Sequence, residues 1–145
     1  MQTSKVNYNL KPGDEIVLPK SQFQVINHHA IYIGFDNKMT DWVIENNVYS
    51  GVRLIPASQF FQNYPKIKTV NVFKGNAFQR EQLLRKVLAS VGKPYDLFLY
   101  NCEHYTSDML TGLPSSKQVD NFKEGFQLVA GIAAVIVFLN LFLNE

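Results

Sequence analysis

The chain has 145 residues, of which 46% are hydrophobic and 18% are charged, which fits one domain with its own core. This composition excludes a disordered chain, and a single cysteine excludes an intramolecular disulfide. One cysteine with three histidines does not fit a structural zinc site, and a net charge of +2 lacks the basic bias of a nucleic-acid binder. We therefore predict no metal site and no nucleic-acid partner, and no organic cofactor is implied.

The first half of the chain is rich in predicted strands. Residues 11–14 (KPGD) carry the composition of a turn, and residues 36–38 (DNK) that of a hairpin turn. Runs rich in β-branched and aromatic residues predict five strands, at 15–18, 24–35, 41–45, 51–56 and 67–73.

The second half changes to helical spacing. Apolar residues recur at intervals of three and four over residues 78–91, and Gly92 ends this predicted helix. Residues 101–110 predict a second helix that is closed by Gly112. Strands first and helices later indicate an α+β domain in which an antiparallel sheet packs against helices.

The C-terminus differs from the rest of the chain. Residues 126–143 contain no charge and are apolar all round, and as a helix they would extend roughly 27 Å, close to the thickness of a bilayer core. We predict a transmembrane helix there, after a main domain at 1–114 and a linker at 115–125, with a buried core helix as the alternative. Lys117 and Lys123 precede the span, which predicts a tail anchor with the domain on the cytoplasmic face of a membrane. The polar N-terminus predicts no signal peptide.

One cysteine and two adjacent histidines are the candidates for chemistry. Cys102 lies at the predicted start of a helix, where free N–H groups and a partial positive charge favour a thiolate. A nearby imidazole would lower the pKa of the thiol further and act as general base. His28 and His29 lie on a predicted strand and point to opposite faces, so only one of them faces the thiol. From the residues alone, a buried structural cysteine remains an alternative.

Two motifs resemble the lecithin–retinol acyltransferase family. Residues 28–34 (HHAIYIG) are similar to its H-box, and residues 101–105 (NCEHY) are similar to its NCEHF motif. With the turn at 11–14, the resemblance covers roughly residues 11–112. It is strongest to the small phospholipase A and acyltransferase members, which also end in one hydrophobic anchor. It implies a circularly permuted papain-like (NlpC-type) fold, with histidine before cysteine in the chain.

The resemblance also implies roles for individual residues. Cys102 would be the nucleophile and His28 the general base, while His29 stands where the family has an aromatic residue and receives no role. The backbone N–H of Cys102, at a helix N-terminus, is a natural donor to an oxyanion.

The third member of the catalytic group departs from the family pattern. The stretch 43–46 (VIEN) places Glu45 where the family often has a histidine. An alignment without a long insertion places Asp41 there instead, and Asn46 is a third possibility. Either carboxylate would orient His28 and stabilise its imidazolium form.

Together these features predict a membrane-anchored phospholipase A or acyltransferase. The Cys102 thiolate would attack an ester of a glycerophospholipid substrate, and His28 would protonate the leaving lysophospholipid. The acyl thioester would then pass to water, an amine or an alcohol. The phospholipid membrane is the expected partner, because the anchor would hold the site where its substrate resides.

Two other functions remain open on the sequence. The H-box and the NC pair also resemble certain picornavirus non-structural proteins, which would make the domain a non-enzymatic interaction protein. Papain-like chemistry would equally serve a thiol peptidase or amidase. A reactive Cys102 would separate the two enzymes from the binding protein.

Overall fold

A computed structural model describes residues 9–19 and 27–143, with side chains up to residue 130 and at residue 132. The first part of the predicted strand at 24–35 lies outside the described residues. The elements, in chain order, are β1 (Glu15–Pro19), β2 (Asn27–Phe35), β3 (Asp41–Asn47), β4 (Gly51–Pro56), α1 (Ala57–Asn63), β5 (Thr69–Asn71), α2 (Ala77–Ala89), α3 (Cys102–Thr111) and α4 (Lys117–Leu143).

The described strands form one antiparallel sheet in the order β4-β3-β2-β1-β5. The predicted α+β class with an antiparallel sheet is confirmed. The sequence analysis missed α1, a helix of seven residues that follows β4 directly. It also made the fifth strand too long, since β5 covers only three residues.

The sheet buries both of its faces, because neighbouring residues of a strand point in opposite directions. Ala30 and Tyr32 of β2 belong to one core cluster with Phe60 of α1. Ile31, between them in sequence, belongs to the second cluster, which includes Tyr105 of α3. Strand β2 therefore presents one side chain to α1 and the next to the helices of the other face.

The segment that follows α2 is fixed to the edge of the sheet. Val52 N–H donates to the Lys93 carbonyl at 2.8 Å, and Gly92 N–H donates to the Val52 carbonyl at 2.8 Å. Gly51 has a φ of +67°, and a Cβ at this position would overlap the Lys93 carbonyl. Glycine is therefore required at position 51, and the contact anchors the chain that leads to Cys102.

Residues Ser116–Glu145 form a compact unit of their own, apart from Met1–Ser115. Helix α4 begins at Lys117, so residues 117–125, which were predicted as linker, are helical. Within the described part of the chain, no helix is both long enough and apolar enough to cross a membrane. Most side chains of the predicted span at 126–143 lie outside the described residues, and the transmembrane helix stays a prediction.

Candidate active site

Cys102 is the first residue of α3, and its neighbours in the motif build the helix start. The Asn101 side chain caps the helix by accepting from the N–H groups of Glu103 and His104, both at 3.0 Å. In return, Nδ1 of His104 accepts from the Asn101 N–H at 3.4 Å. This reciprocal arrangement is a capping box, so His104 supports the helix terminus at which the thiol lies.

A second brace holds the chain just before the nucleophile. Asn46 is fully buried, and its Nδ2 donates to the Tyr100 carbonyl at 2.7 Å. The Asn101 Nδ2 donates to the Leu97 carbonyl at 3.1 Å. Neither polar atom of Asn46 bonds His28, since Oδ1 has no hydrogen-bond partner among the described residues. Asn46 therefore supports the backbone that leads to Cys102.

His28 and Glu45 meet inside the protein. His28 Nε2 donates to Glu45 Oε2 at 2.5 Å, and the two side chains are 1% and 0% exposed. The Tyr64 ring stacks on the imidazole with 4.8 Å between centroids. Nδ1 of His28 is buried and has no hydrogen-bond partner among the described residues. Because Nε2 is occupied, Nδ1 is the nitrogen left to exchange a proton with a thiol.

A cation completes the environment of Glu45. Arg53 lies directly opposite Glu45 on β4. Its Nε and Nη2 donate to Glu45 Oε1 at 2.8 Å and 2.6 Å, so one carboxylate oxygen serves Arg53 and the other serves His28. Burial raises the pKa of Glu45, but His28 and Arg53 outweigh it and hold the pKa below its ordinary value. Glu45 is therefore a carboxylate that is kept ionised in the interior.

The thiol of Cys102 and the imidazole of His28 are close enough to shift each other's ionisation. Burial raises the pKa of Cys102, yet the neighbouring imidazoles, His28 first and His29 after it, together outweigh burial and lower the pKa. Burial lowers the pKa of His28, yet Cys102 and Glu45 outweigh it and raise the pKa. These two shifts favour a thiolate beside an imidazolium, the reactive form of a cysteine nucleophile.

The structure does not bring Asp41 to this group. Asp41 pairs with Phe35 at the far end of β2, whereas Ala30 pairs with Glu45. From Phe35 to His28 the strand extends roughly 20 Å, at about 3.3 Å per residue. Asp41 instead accepts from Tyr32, and this bond with burial raises the pKa of that phenol.

Sequence reasoning missed two residues of the site, Arg53 and Tyr64. The signal for Arg53 was present, because a hairpin between the predicted strands at 41–45 and 51–56 places it across from Glu45. Tyr64 follows α1, and no pattern in the sequence predicted that helix. Tyr64 reaches His28 only because α1 packs on the face of the sheet that carries the imidazole.

Residues 6–111 match the sequence model of the permuted papain-like amidase enzymes, YaeF/YiiX, of the C92 family. The chain belongs to this family. No curated protein is found to match it. The predicted permuted papain-like domain is confirmed, and the chain lies among the papain-like cysteine enzymes. The match is to a family related to the lecithin–retinol acyltransferases by fold, and it does not extend to membership of that family.

Proposed function

We propose that this protein is a cysteine amidase that cleaves an amide bond through an acyl thioester on Cys102. The observation that carries the proposal is the chain of hydrogen bonds from Arg53 through Glu45 to His28, whose imidazole lowers the pKa of the Cys102 thiol. Membership of a family of permuted papain-like amidase enzymes supports amides as the substrate class.

The chemistry follows from the protonation states at the site. The Cys102 thiolate attacks the amide carbonyl carbon, and the carbonyl oxygen becomes an oxyanion. The C–N bond then breaks, and Nδ1–H of His28 donates its proton to the leaving amine nitrogen. Water attacks the thioester while Nδ1 accepts its proton, which releases the acid and restores the thiolate and imidazolium. Glu45 remains a carboxylate throughout and stabilises the imidazolium.

The N-terminus of α3 would stabilise the oxyanion. The backbone N–H groups of the first helical turn are without partners inside the helix and point toward its N-terminus. Asn101 already accepts from those of Glu103 and His104, which leaves the N–H of Cys102 as the donor nearest to the reacting carbonyl.

The test is the transfer of an acyl group from an N-acyl amide to Cys102. Intact-protein mass spectrometry after mixing with an N-acyl amide would show one acyl group on the wild-type protein and none on Cys102→Ala. The release of free amine should stop in the same variant. A folded wild-type protein that forms no thioester and releases no amine from a panel of N-acyl amides would contradict the proposal and favour a non-enzymatic binding protein.

A second candidate is the cleavage of phospholipid esters at a membrane surface. Leu97, Phe98 and Leu99 precede the nucleophile by a few residues, and these side chains are 58%, 49% and 74% exposed. Asp96 fixes this turn by accepting from the N–H groups of Phe98 and Leu99 at 2.9 Å and 2.8 Å. Exposed apolar side chains held a few residues before the nucleophile suit an acyl chain or a bilayer surface, and the apolar residues 126–143 would supply the proposed tail anchor.

Phosphatidylcholine vesicles separate the two candidates. A phospholipase would release fatty acid and lysolipid through Cys102, whereas an amidase would leave the vesicles intact and cleave the N-acyl amide. Membrane attachment is tested separately by sedimentation of the full chain with vesicles. Ile132→Lys should weaken sedimentation and Gln127→Lys, near the end of the span, should weaken it less, because a central charge costs about 2.5–3.5 kcal/mol. Equal sedimentation of both variants would contradict the anchor.

A further inference from the structure

A second pair of histidine and carboxylate lies on the other face of β2. His29 Nδ1 donates to Glu15 Oε1 at 2.9 Å, and these side chains are 10% and 13% exposed. Asn71, directly opposite Glu15 on β5, donates from Nδ2 to Oε2 at 2.7 Å. Thr106 donates from Oγ1 to Oε1 at 2.8 Å. The proposed mechanism uses none of these four side chains.

This second pair is next to the nucleophile. Thr106 lies four residues after Cys102 on α3, so the two side chains occupy the same face of the helix. His29 and Thr106 meet at the same oxygen of Glu15. The Cys102 sulfur is also 3.9 Å from the Asn27 carbonyl oxygen, and Asn27 lies two residues before His29 on β2. The Cys102 sulfur therefore lies against the start of β2, at the residue that precedes His28 and His29.

His29 also acts on the thiol. Its backbone hydrogen bond to Cys102 and the charge of its ring both lower the pKa of the thiol, after the larger effects of burial and of His28. The ring nitrogen Nε2 is buried and has no hydrogen-bond partner within residues 9–19 and 27–130. Glu15 therefore holds the His29 imidazole at Nδ1, while its other ring nitrogen is buried on the face of β2 that packs against α3.

We propose that His29 is a second active-site imidazole that, held and polarised by Glu15, stabilises the Cys102 thiolate from the face of β2 opposite to His28. The proposal rests on the proposed role of Cys102 as the nucleophile. It gives the site two imidazoles with different tasks. His28 exchanges protons with the thiol and the leaving group, whereas His29 contributes charge and a backbone N–H without exchanging a proton with the substrate.

Several other ionisable groups surround the thiol and act in all variants of the test. They are His28 on β2, Glu45 on β3 with its partner Arg53 on β4, Tyr64 after α1, Tyr95 in the segment before α3, and Glu103 and His104 on α3 itself.

The experiment is a titration of the thiolate by its ultraviolet absorbance in the full chain, with Cys102→Ser subtracted as the blank. His29→Gln keeps a hydrogen-bonding side chain and removes the charge. It should raise the pH midpoint of thiolate formation by about half to one pH unit. Glu15→Gln keeps the partners Asn71 and Thr106 and should raise the midpoint by a smaller amount.

Thr106→Val is the matched control, since it removes one hydrogen bond from Glu15 and no charge. It should lower thermal stability and leave the midpoint unchanged. Equal midpoints in wild type, His29→Gln and Glu15→Gln would overturn the proposal, as would a Thr106→Val shift as large as that of His29→Gln. If His29→Gln does not fold, Glu15→Gln decides alone. The titration contains no substrate, so failure to cleave amides does not affect its outcome.

Discussion

Each face of β2 carries a histidine that is bonded to a carboxylate. The two carboxylates differ in the residue that lies opposite them on the neighbouring strand. On one face His28 shares the carboxylate of Glu45 with Arg53, which lies directly opposite on β4. On the other face His29 shares the carboxylate of Glu15 with Asn71, directly opposite on β5. One carboxylate is paired with a cation and the other with an amide.

Burial explains the difference. The Glu45 side chain is 0% exposed, and an ionised carboxylate in the interior requires a cation and well-formed hydrogen bonds. Glu15 pairs with the edge strand β5 and is 13% exposed, so its carboxylate needs no cation from the neighbouring strand. The deeper pair, His28 and Glu45, can hold a full imidazolium away from solvent, and this suits it to proton exchange with Cys102.

The largest expected effect comes from removing the charge of the deeper carboxylate. Glu45→Gln should lower the rate of thioester formation by about 10²–10⁴-fold, because the imidazolium loses its partner. Intact-mass kinetics with an acyl donor measure the rate. Asp41→Asn is the matched control at the far end of the same hairpin and should keep the wild-type rate. A loss of equal size in Asp41→Asn would mean that the two carboxylates do not differ in role.

The pH dependence of amide cleavage should be bell-shaped. Activity requires the thiolate, so it falls on acidification through the lowered pKa of Cys102, below the ordinary value of 9.0. It also requires the imidazolium, so it falls on the alkaline side through the raised pKa of His28, above the ordinary value of 6.5. On each side of the optimum, activity should fall about tenfold per pH unit. A profile that only rises with pH would argue against an imidazolium donor.

Removing the Arg53 cation tests whether the buried carboxylate of Glu45 depends on it. Arg53→Met should lower the free energy of unfolding by about 1–2 kcal/mol, because Glu45 keeps its burial and loses two donors. The side chain of Arg53 is 39% exposed, which keeps this loss moderate. Arg53→Lys should recover part of the loss. Urea unfolding of the three proteins measures the difference, and identical stabilities would show that Glu45 does not depend on Arg53.

The smallest expected effects come from removing the two helix caps. They separate the loss of a cap from the misplacement of the Cys102 thiol. Asn76 caps α2 and Asn101 caps α3, each in a capping box. Replacement of either by alanine should lower the free energy of unfolding by about 1 kcal/mol. Only Asn101→Ala should also slow alkylation of Cys102, because it loosens the helix terminus that holds the thiol. Equal alkylation rates in the two variants would contradict a role for the cap in the site.

Local patterns in the sequence predicted most of the fold, whereas the family resemblance named His28 and offered Glu45 with Asp41 and Asn46 as alternatives. The alternation within β2 places His28 and His29 on opposite faces, and the cap at Asn101 fixes where α3 begins. The choice between Glu45 and Asp41 depended on the register of β2 against β3, which a single sequence does not determine. Glu15 and Thr106 are 91 residues apart in the chain, and only tertiary packing brings them together.

The central claim is that His28 and Cys102 form an ion pair, and NMR titration of the His28 imidazole tests it most directly. The pKa of His28 should lie above its ordinary value in the wild-type protein and should fall in Cys102→Ser, because the thiolate no longer stabilises the imidazolium. The same His28 titration curve in both proteins would contradict the account.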